Sequence, residues 1–135
     1  MSNPENGRTV LTFGTFDVFH VGHLRLLERA RDLGEYLIVG VSTDELNISK
    51  KGRPPVYSQD ERMEIVRALR CVDGAFFEES LELKERYVID YKADILVMGD
   101  DWRGKFDQFS THCEVLYLER TPAVSTTEVI EKIRL

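Results

Sequence analysis

Two histidines are separated by two residues in the run His20-Val21-Gly22-His23, which follows a short apolar segment and precedes a stretch with helical spacing. Imidazole N–H groups donate hydrogen bonds to phosphate oxygens, and a helix start adds free backbone N–H groups and a partial positive charge. Gly22 permits close approach of the backbone to a ligand. The run therefore predicts a phosphate site, although structural histidines or a metal pair also fit this spacing.

A second group of residues with phosphate-binding chemistry lies near the end of the chain. Arg120 is a permanent cation with a fork of donors that matches phosphate. Ser125 and Glu128 form the pattern of a capping box, so the N–H groups of Thr126 and Thr127 should face outward at a helix start. An ordinary capped helix uses the same residues, because capping and phosphate binding share one geometry.

A basic segment, with Lys50, Lys51 and Arg53, lies between these two groups. Pro54 and Pro55 predict a loop here, because proline is excluded from helix interiors. These three charged residues belong either to a solvated surface loop or to an anion-binding site, and their spacing is compatible with both.

The elements that must position these residues alternate between strand and helix. Short apolar runs predict strands over residues 9–13, 36–41, 74–77, 95–98 and 114–118, and helical spacing predicts helices over 22–33, 58–69, 83–91 and 125–133. This order predicts an α/β fold with a Rossmann-like, parallel five-stranded sheet and helices on both faces. Ligands of such sheets bind beyond the carboxyl ends of the strands, where the candidate residues stand.

Length and composition restrict the kind of protein. The 135 residues suit one domain over residues 9–135 behind a flexible tail over 1–8. The formal net charge of −6 argues against general nucleic-acid binding. The two cysteines are too few for a disulfide framework, and no apolar run has the length of a membrane span. We expect a cytoplasmic protein without membrane insertion.

The candidate segments also resemble known motifs. The run GTFDVFHVGH, residues 14–23, resembles the signature of the cytidylyltransferase and related nucleotidyltransferase superfamily, and RTPAVSTT, residues 120–127, resembles its second motif. The resemblance continues through residues 41–45 and through MGDDWRGKFD, residues 98–107, which is similar to the glycerol-3-phosphate cytidylyltransferases in particular. It covers nearly everything from residue 9 to residue 133.

The resemblance implies transfer of CMP from CTP to glycerol 3-phosphate, giving CDP-glycerol and pyrophosphate. It implies four catalytic residues: His20, His23, Arg120 and Lys50. The implied nucleotide site comprises Gly14, Thr15, Phe16, His20, Gly22, His23, Gly99, Asp101, Arg120, Ser125, Thr126 and Thr127. The implied acceptor site comprises Lys50, Lys84 and Arg62, and Arg62 together with Arg70 also matches positions that hold the site together.

The resemblance further implies Mg²⁺ as cofactor, bound mainly through phosphates, and a homodimer. Asp17 is a candidate for contact with Mg²⁺ or with a lysine, and the sequence does not choose between them.

Three departures from the glycerol-3-phosphate enzymes bear on the acceptor: Pro122-Ala123 in the second motif, Leu81, and a basic loop one residue longer near Gly52. The alternatives are a cytidylyltransferase for phosphocholine, phosphoethanolamine or a polyol phosphate, an adenylyltransferase, and a non-catalytic nucleotide sensor.

Overall fold

The computed structural model describes residues 7–119 and 125–134, and in these ranges the strands form one parallel sheet in the order β3-β2-β1-β4-β5. The strands are β1 (Thr9–Gly14), β2 (Tyr36–Ser42), β3 (Gly74–Glu78), β4 (Ile95–Gly99) and β5 (Glu114–Leu118). The predicted Rossmann-like α/β sheet is confirmed, because apolar runs of about five residues with buried neighbours on both sides favour parallel strands.

The order of the strands reverses at the centre of the sheet. The strand β1 pairs with β2 from Thr9↔Tyr36 to Gly14↔Val41, and on its other edge it pairs with β4 from Val10↔Ile95 to Thr12↔Val97. The chain therefore builds outward through β2 and β3 and then returns to β4 on the opposite side. Such a reversal opens a crevice at the carboxyl ends of β1 and β4, where ligands bind in this class of sheet.

Helices cover both faces of the sheet, as predicted. They are α1 (Val21–Arg31), α2 (Asp44–Lys51), α3 (Gln59–Arg67), α4 (Lys84–Asp90) and α5 (Thr126–Arg134). On one face Val10 and Val39 pack with Leu27 of α1 and Val66 of α3. On the other face Leu11, Phe13 and Met98 pack with Val88 of α4 and with Phe106 and Phe109. Successive strand residues thus serve opposite faces, as the two-residue period requires.

The helix α2 was not predicted, and Lys50 and Lys51, which were assigned to a loop, lie in its last turn. The signals for it are present: the Thr43 side chain accepts the N–H of Leu46 at 3.1 Å, and Gly52 ends the helix at φ 78°. A proline disfavours helix at its own position in a helix interior and at the residue before it, so Pro54 and Pro55 do not prevent a helix that ends at Lys51.

The predicted flexible tail reached Arg8, but this residue is fixed to the domain. Its N–H donates to a Glu35 carboxylate oxygen at 2.7 Å, and its guanidinium pairs with Glu114 at 3.1 Å. Ordered structure therefore begins before Thr9. The two predicted capping boxes are placed as expected, since the Ser58 side chain accepts the N–H of Glu61 and Ser125 accepts that of Glu128.

Within the described parts of the chain, no helix is both long enough and apolar enough to cross a bilayer.

Gly40 of β2 provides a test of the packing between the sheet and α4. A Cβ added there would lie 2.5 Å from a ring carbon of Phe13 and 3.0 Å from Phe76. We expect Gly40→Ala to lower the free energy of unfolding by about 1–3 kcal/mol in urea titrations, because buried rings must move. Gly74→Ala is the matched control, since its Cβ meets only the end of the Ile38 side chain, at 3.1 Å. Equal stabilities of the two variants would contradict this packing.

Candidate active site

The loop between β1 and α1 is tightly folded around Asp17. Phe16 and Val18 on either side have φ of 56° and 46°, in the left-handed region that side chains disfavour. The ring of Phe16 lies against Gly14, where an added Cβ would be 2.8 Å from the ring. Gly14 is therefore required at this position, and the loop stores strain of the kind found at binding sites.

The two histidines cap the start of α1 by hydrogen bonds through their rings. The Nδ1 atom of His20 accepts the N–H of Gly22 at 3.0 Å, and the Nδ1 atom of His23 accepts the N–H of His20 at 3.2 Å. The rings stack with centroids 3.8 Å apart. Because both Nδ1 atoms are acceptors, the ring proton of each neutral histidine is on Nε2. Each ring thus keeps one N–H that the cap does not use.

The surroundings favour the neutral form of both rings. Burial lowers the pKa of His20, and burial first and the neighbouring His20 second lower the pKa of His23 to about 4, against an opposing effect of Asp17. The rings of Phe16 and Phe19 pack against His23, with centroids 5.6 and 5.2 Å away. Both imidazoles are therefore neutral donors near pH 7, held in fixed orientations before any ligand arrives.

The start of α5 meets this loop, although the two segments are more than 100 residues apart in sequence. The Thr126 hydroxyl lies 3.4 Å from His20 Nε2 and donates to the carbonyl oxygen of Asp17 at 3.3 Å. The structure thus brings Ser125 and Thr126 to the histidines. Arg120 lies outside the described residues, but the adjacent Glu119 carbonyl accepts a hydrogen bond from Arg29 of α1 at 2.7 Å.

Two clefts open at this edge of the sheet and share some of their lining residues. The smaller, about 210 Å³, is lined by His20, Gly22, Gly99, Asp101 and Ser125. The larger, about 780 Å³, is lined by Thr15, Phe16, Lys51, Arg53 and Thr127. The larger volume lies in the range of sites for small molecules and cofactors. Most of the predicted nucleotide residues therefore lie around one continuous region at the point where the strand order reverses.

Arg62 is fully buried beneath the larger cleft and ties three segments together. Its guanidinium donates to the carbonyl oxygens of Thr15, Ser42 and Tyr57 at 2.7–3.0 Å and pairs with Asp44 at 2.7 Å. This agrees with the expectation that it holds the site together. Its contact with the acceptor substrate stays a prediction.

The carboxylate of Asp17 accepts three backbone N–H groups: Val18 at 3.0 Å, Tyr57 at 2.8 Å and Val56 at 2.7 Å. In residues 7–119 and 125–134 no cluster of three or more His, Cys, Asp or Glu side chains could hold a metal ion. The structure therefore gives Asp17 backbone partners, while the contact with Mg²⁺ or a lysine stays a prediction.

The two lysines predicted for the acceptor differ in exposure. Lys84 is buried, pairs with the buried Glu78, and places Nζ 4.3 Å from the centre of the Phe13 ring. Lys50 lies at the surface of α2; partial burial lowers its pKa, the carboxylate of Glu78 opposes this, and Lys84 and Lys51 add to it. The lysines therefore interact electrostatically around Glu78, and their contacts with a substrate stay predictions.

The sequence did not predict a role for Glu78 or Asn47, two buried residues that make polar contacts with residues of the site. The amide of Asn47, in a buried position on α2, donates to Ser42 Oγ at 2.9 Å and accepts from Thr15 Oγ1 at 3.0 Å. The signal for Asn47 was a polar side chain on the buried face of a helix. That face could not be recognised because α2 itself was not predicted.

The fold and the cleft define a class of protein: an α/β protein with a cleft between a histidine-capped helix start and a second helix start at the reversal of the sheet, an arrangement suited to phosphate.

Comparison with known proteins then identifies the family. Residues 11–132 match the family model described as Cytidylyltransferase-like, and the chain belongs to that family. It is 47% identical to glycerol-3-phosphate cytidylyltransferase of Bacillus subtilis, covering 93% of this chain and 97% of the relative. It is 33% identical to FAD synthase of Pyrococcus abyssi, covering 92% and 90%. The resemblance found in the sequence is confirmed.

The fold also matches the crystal structure of a lipopolysaccharide core biosynthesis protein from Thermoplasma volcanium. The TM-score is 0.72 at 24% identity, covering 85% of this chain and 98% of the other. This likeness supports the architecture of the sheet.

The lowered pKa of His23 predicts a pH-dependent stability. The unfolded chain binds this proton near pH 6.5 and the folded chain only near pH 4, so the contribution is complete above pH 6.5 and is lost as the pH falls toward 4. We expect a loss of roughly 2–3 kcal/mol from this group between pH 7 and pH 4.5. His23→Gln keeps a capping-box side chain and should remove that part of the pH dependence in urea titrations. Identical pH profiles of the two proteins would refute the shift.

Proposed function

We propose that this protein transfers CMP from CTP to glycerol 3-phosphate, forming CDP-glycerol and releasing pyrophosphate. The observation that carries the proposal is that the stacked rings of His20 and His23, each with its proton on Nε2, lie with the start of α5 around one cleft. The 47% identity over nearly the whole chain to a glycerol-3-phosphate cytidylyltransferase supports the substrates.

The chemistry requires little from a general base. The attacking group is a phosphate monoester whose second pKa is about 6, so its oxygen is ionised near neutral pH. The difficulty is to bring two polyanions together, since two unit charges 4 Å apart repel by about 4 kcal/mol at an effective dielectric constant near 20. Catalysis is therefore expected from positioning and from neutralisation of charge.

Each element has a role in this proposal. The Nε2–H groups of His20 and His23 donate to the α- and β-phosphates and to the charge that develops at the α-phosphorus. Arg120 and the start of α5, with Thr126 and Thr127, hold the β- and γ-phosphates. Lys50 and Lys84 bind the acceptor phosphate, and for this Lys84 must share its cation between Glu78 and the substrate. Uncharged histidines suit the first role, because fixed N–H dipoles need no reorganisation during the reaction.

Mg²⁺ is proposed to enter on the triphosphate, where it neutralises charge on phosphate oxygens. This ion prefers phosphates with one or two carboxylates and several waters to a cage made by protein alone. Asp101 lines both clefts with an exposed side chain, and Asp17 already accepts three N–H groups. The donor set fits Mg²⁺ held by phosphates and Asp101. We also propose a cytoplasmic homodimer, in line with the family resemblance.

Assays of pyrophosphate release with paired nucleotides and acceptors test the proposal directly. We expect release with CTP and glycerol 3-phosphate, and at least tenfold lower kcat/KM with ATP or with phosphocholine, phosphoethanolamine or a polyol phosphate. Family membership does not specify the nucleotide, since a relative is named FAD synthase. Release with ATP but not CTP would overturn the base assignment, and CTP binding without release under every acceptor would favour a nucleotide sensor.

Substitution of either histidine tests the proposed donors. We expect His20→Ala and His23→Ala to lower kcat by roughly 10²–10³, the scale for loss of one donor to the transition state. Val21→Ala is the matched control, because this exposed side chain lies between them on the same turn of α1. A histidine variant that keeps the turnover of the unmodified protein at saturating substrates would refute the role of that residue.

A further inference from the structure

Residues 52–57 lie between α2 and Ser58, the N-cap of α3, without helix or strand, and we call this segment the strap. It begins at Gly52 with φ 78° and contains Pro54 and Pro55. The strap and the end of α2 line the larger cleft with Lys51 and Arg53, and Thr126 and Thr127 of α5 line the same cleft. The strap therefore contributes positive charge to the cleft that holds the proposed phosphate site.

Two charged side chains, Asp17 and Arg62, hold the end of the strap nearest α3. Within the described chain, their hydrogen bonds with Val56 and Tyr57 are the ones that join residues 53–57 to other segments. The carboxylate of Asp17 accepts the N–H of Val56 at 2.7 Å and of Tyr57 at 2.8 Å, and Arg62 donates to the carbonyl oxygen of Tyr57 at 3.0 Å. The Val56 side chain is 68% exposed, so packing adds little there.

Both anchors connect the strap to the loop between β1 and α1, residues 15–20. Asp17 lies within that loop, and Arg62 also donates to the carbonyl oxygen of Thr15 at 2.9 Å. The flanking residues Phe16 and Val18 adopt positive φ, so the backbone is strained in the conformation that directs Asp17 at the strap. Asp17 receives Val56 on one carboxylate oxygen and Tyr57 on the other. A carboxylate, with two charged acceptor oxygens, is suited to this double contact.

We propose that Asp17 is a positioning residue: its carboxylate fixes the strap against the loop between β1 and α1, so that Arg53 faces the triphosphate beside Lys51 at the end of α2. An acidic chain of net charge −6 must concentrate cations locally to hold a polyanion, and a loose strap would leave the charge of Arg53 in solvent. The inference rests on the proposed function only for the identity of the ligand.

Two variants weaken the contact between Asp17 and the strap from its opposite sides. Asp17→Asn removes the charge and replaces one carboxylate oxygen by an NH2 group, whereas Val56→Pro deletes one N–H donor and leaves Asp17 intact. Val56→Ala is the matched control, because it keeps the N–H and shortens only an exposed side chain. Thermal melts establish that each variant is folded.

Limited trypsin digestion, followed by mass spectrometry, reports on the strap without any activity. The bond after Lys51 is cleavable, whereas Pro54 protects the bond after Arg53. We expect Asp17→Asn and Val56→Pro each to raise the cleavage rate after Lys51 by roughly tenfold, the scale for one hydrogen bond to a charged group. Both should raise the Kd for CTP, by calorimetry, by a similar factor. The double variant should not exceed Asp17→Asn, since Val56→Pro acts on a contact that Asp17→Asn has already weakened.

The alternative is that Asp17 acts through a metal ion. Asp17→Asn would then raise the Mg²⁺ concentration needed for half-maximal CTP binding, with unchanged cleavage after Lys51, and Val56→Pro would have no effect. That result would overturn the proposal, as would additive effects in the double variant. If cleavage responds as expected but CTP does not bind the unmodified protein, the proposed function fails and the placement of the strap by Asp17 stands.

Discussion

The site depends on the hydrogen bonds that the ring nitrogens of His20 and His23 make at the start of α1. Each Nδ1 atom accepts a backbone N–H at the start of α1, which fixes the ring and leaves the proton on Nε2. The rings stack and are partly buried, so their pKa values are lowered and they stay neutral. A pair of uncharged donors at fixed positions can bind phosphate without the cost of desolvating two cations at 3.8 Å. The histidines thus form a local structural cap, and in the proposed function the same rings also bind phosphate.

The sheet determines where this cap faces. The reversal between β1 and β4 opens the crevice, and the loops after β1 and β4 supply the histidines and the residues around Asp101. The start of α5 closes the same region through Thr126, whose hydroxyl lies beside His20. Arg62 fixes the loop after β1 to the end of β2 from below. Charged groups that are buried and fully hydrogen-bonded to backbone make such a site rigid, since moving any one would leave an unpaired buried polar group.

Local patterns in the sequence were enough to predict the five strands, the capping side chains Ser58 and Ser125, and the alternation of strand with helix, because each depends on neighbours within a few residues. The helix α2 was not predicted, although Thr43 and Gly52 are typical residues for its two ends. The two prolines that follow it indicated a loop for the whole basic segment. The contacts of Asp17 with residues about 40 positions away, and the pairing of Lys84 with Glu78 in the interior, were not predictable. No local pattern specifies which distant backbone N–H group or carboxylate the fold will bring to a buried charge.

The central claim is that both histidines are neutral donors whose Nε2–H groups meet the triphosphate. Nitrogen-15 NMR of the histidine-labelled protein at pH 7 tests it most directly, because the shifts of the two ring nitrogens distinguish the tautomers. The account predicts that His20 and His23 both carry the proton on Nε2, and that adding CTP shifts these two Nε2 resonances while each Nδ1 keeps its acceptor shift. A protonated Nδ1 on either ring, or Nε2 resonances that ignore saturating CTP, would contradict it.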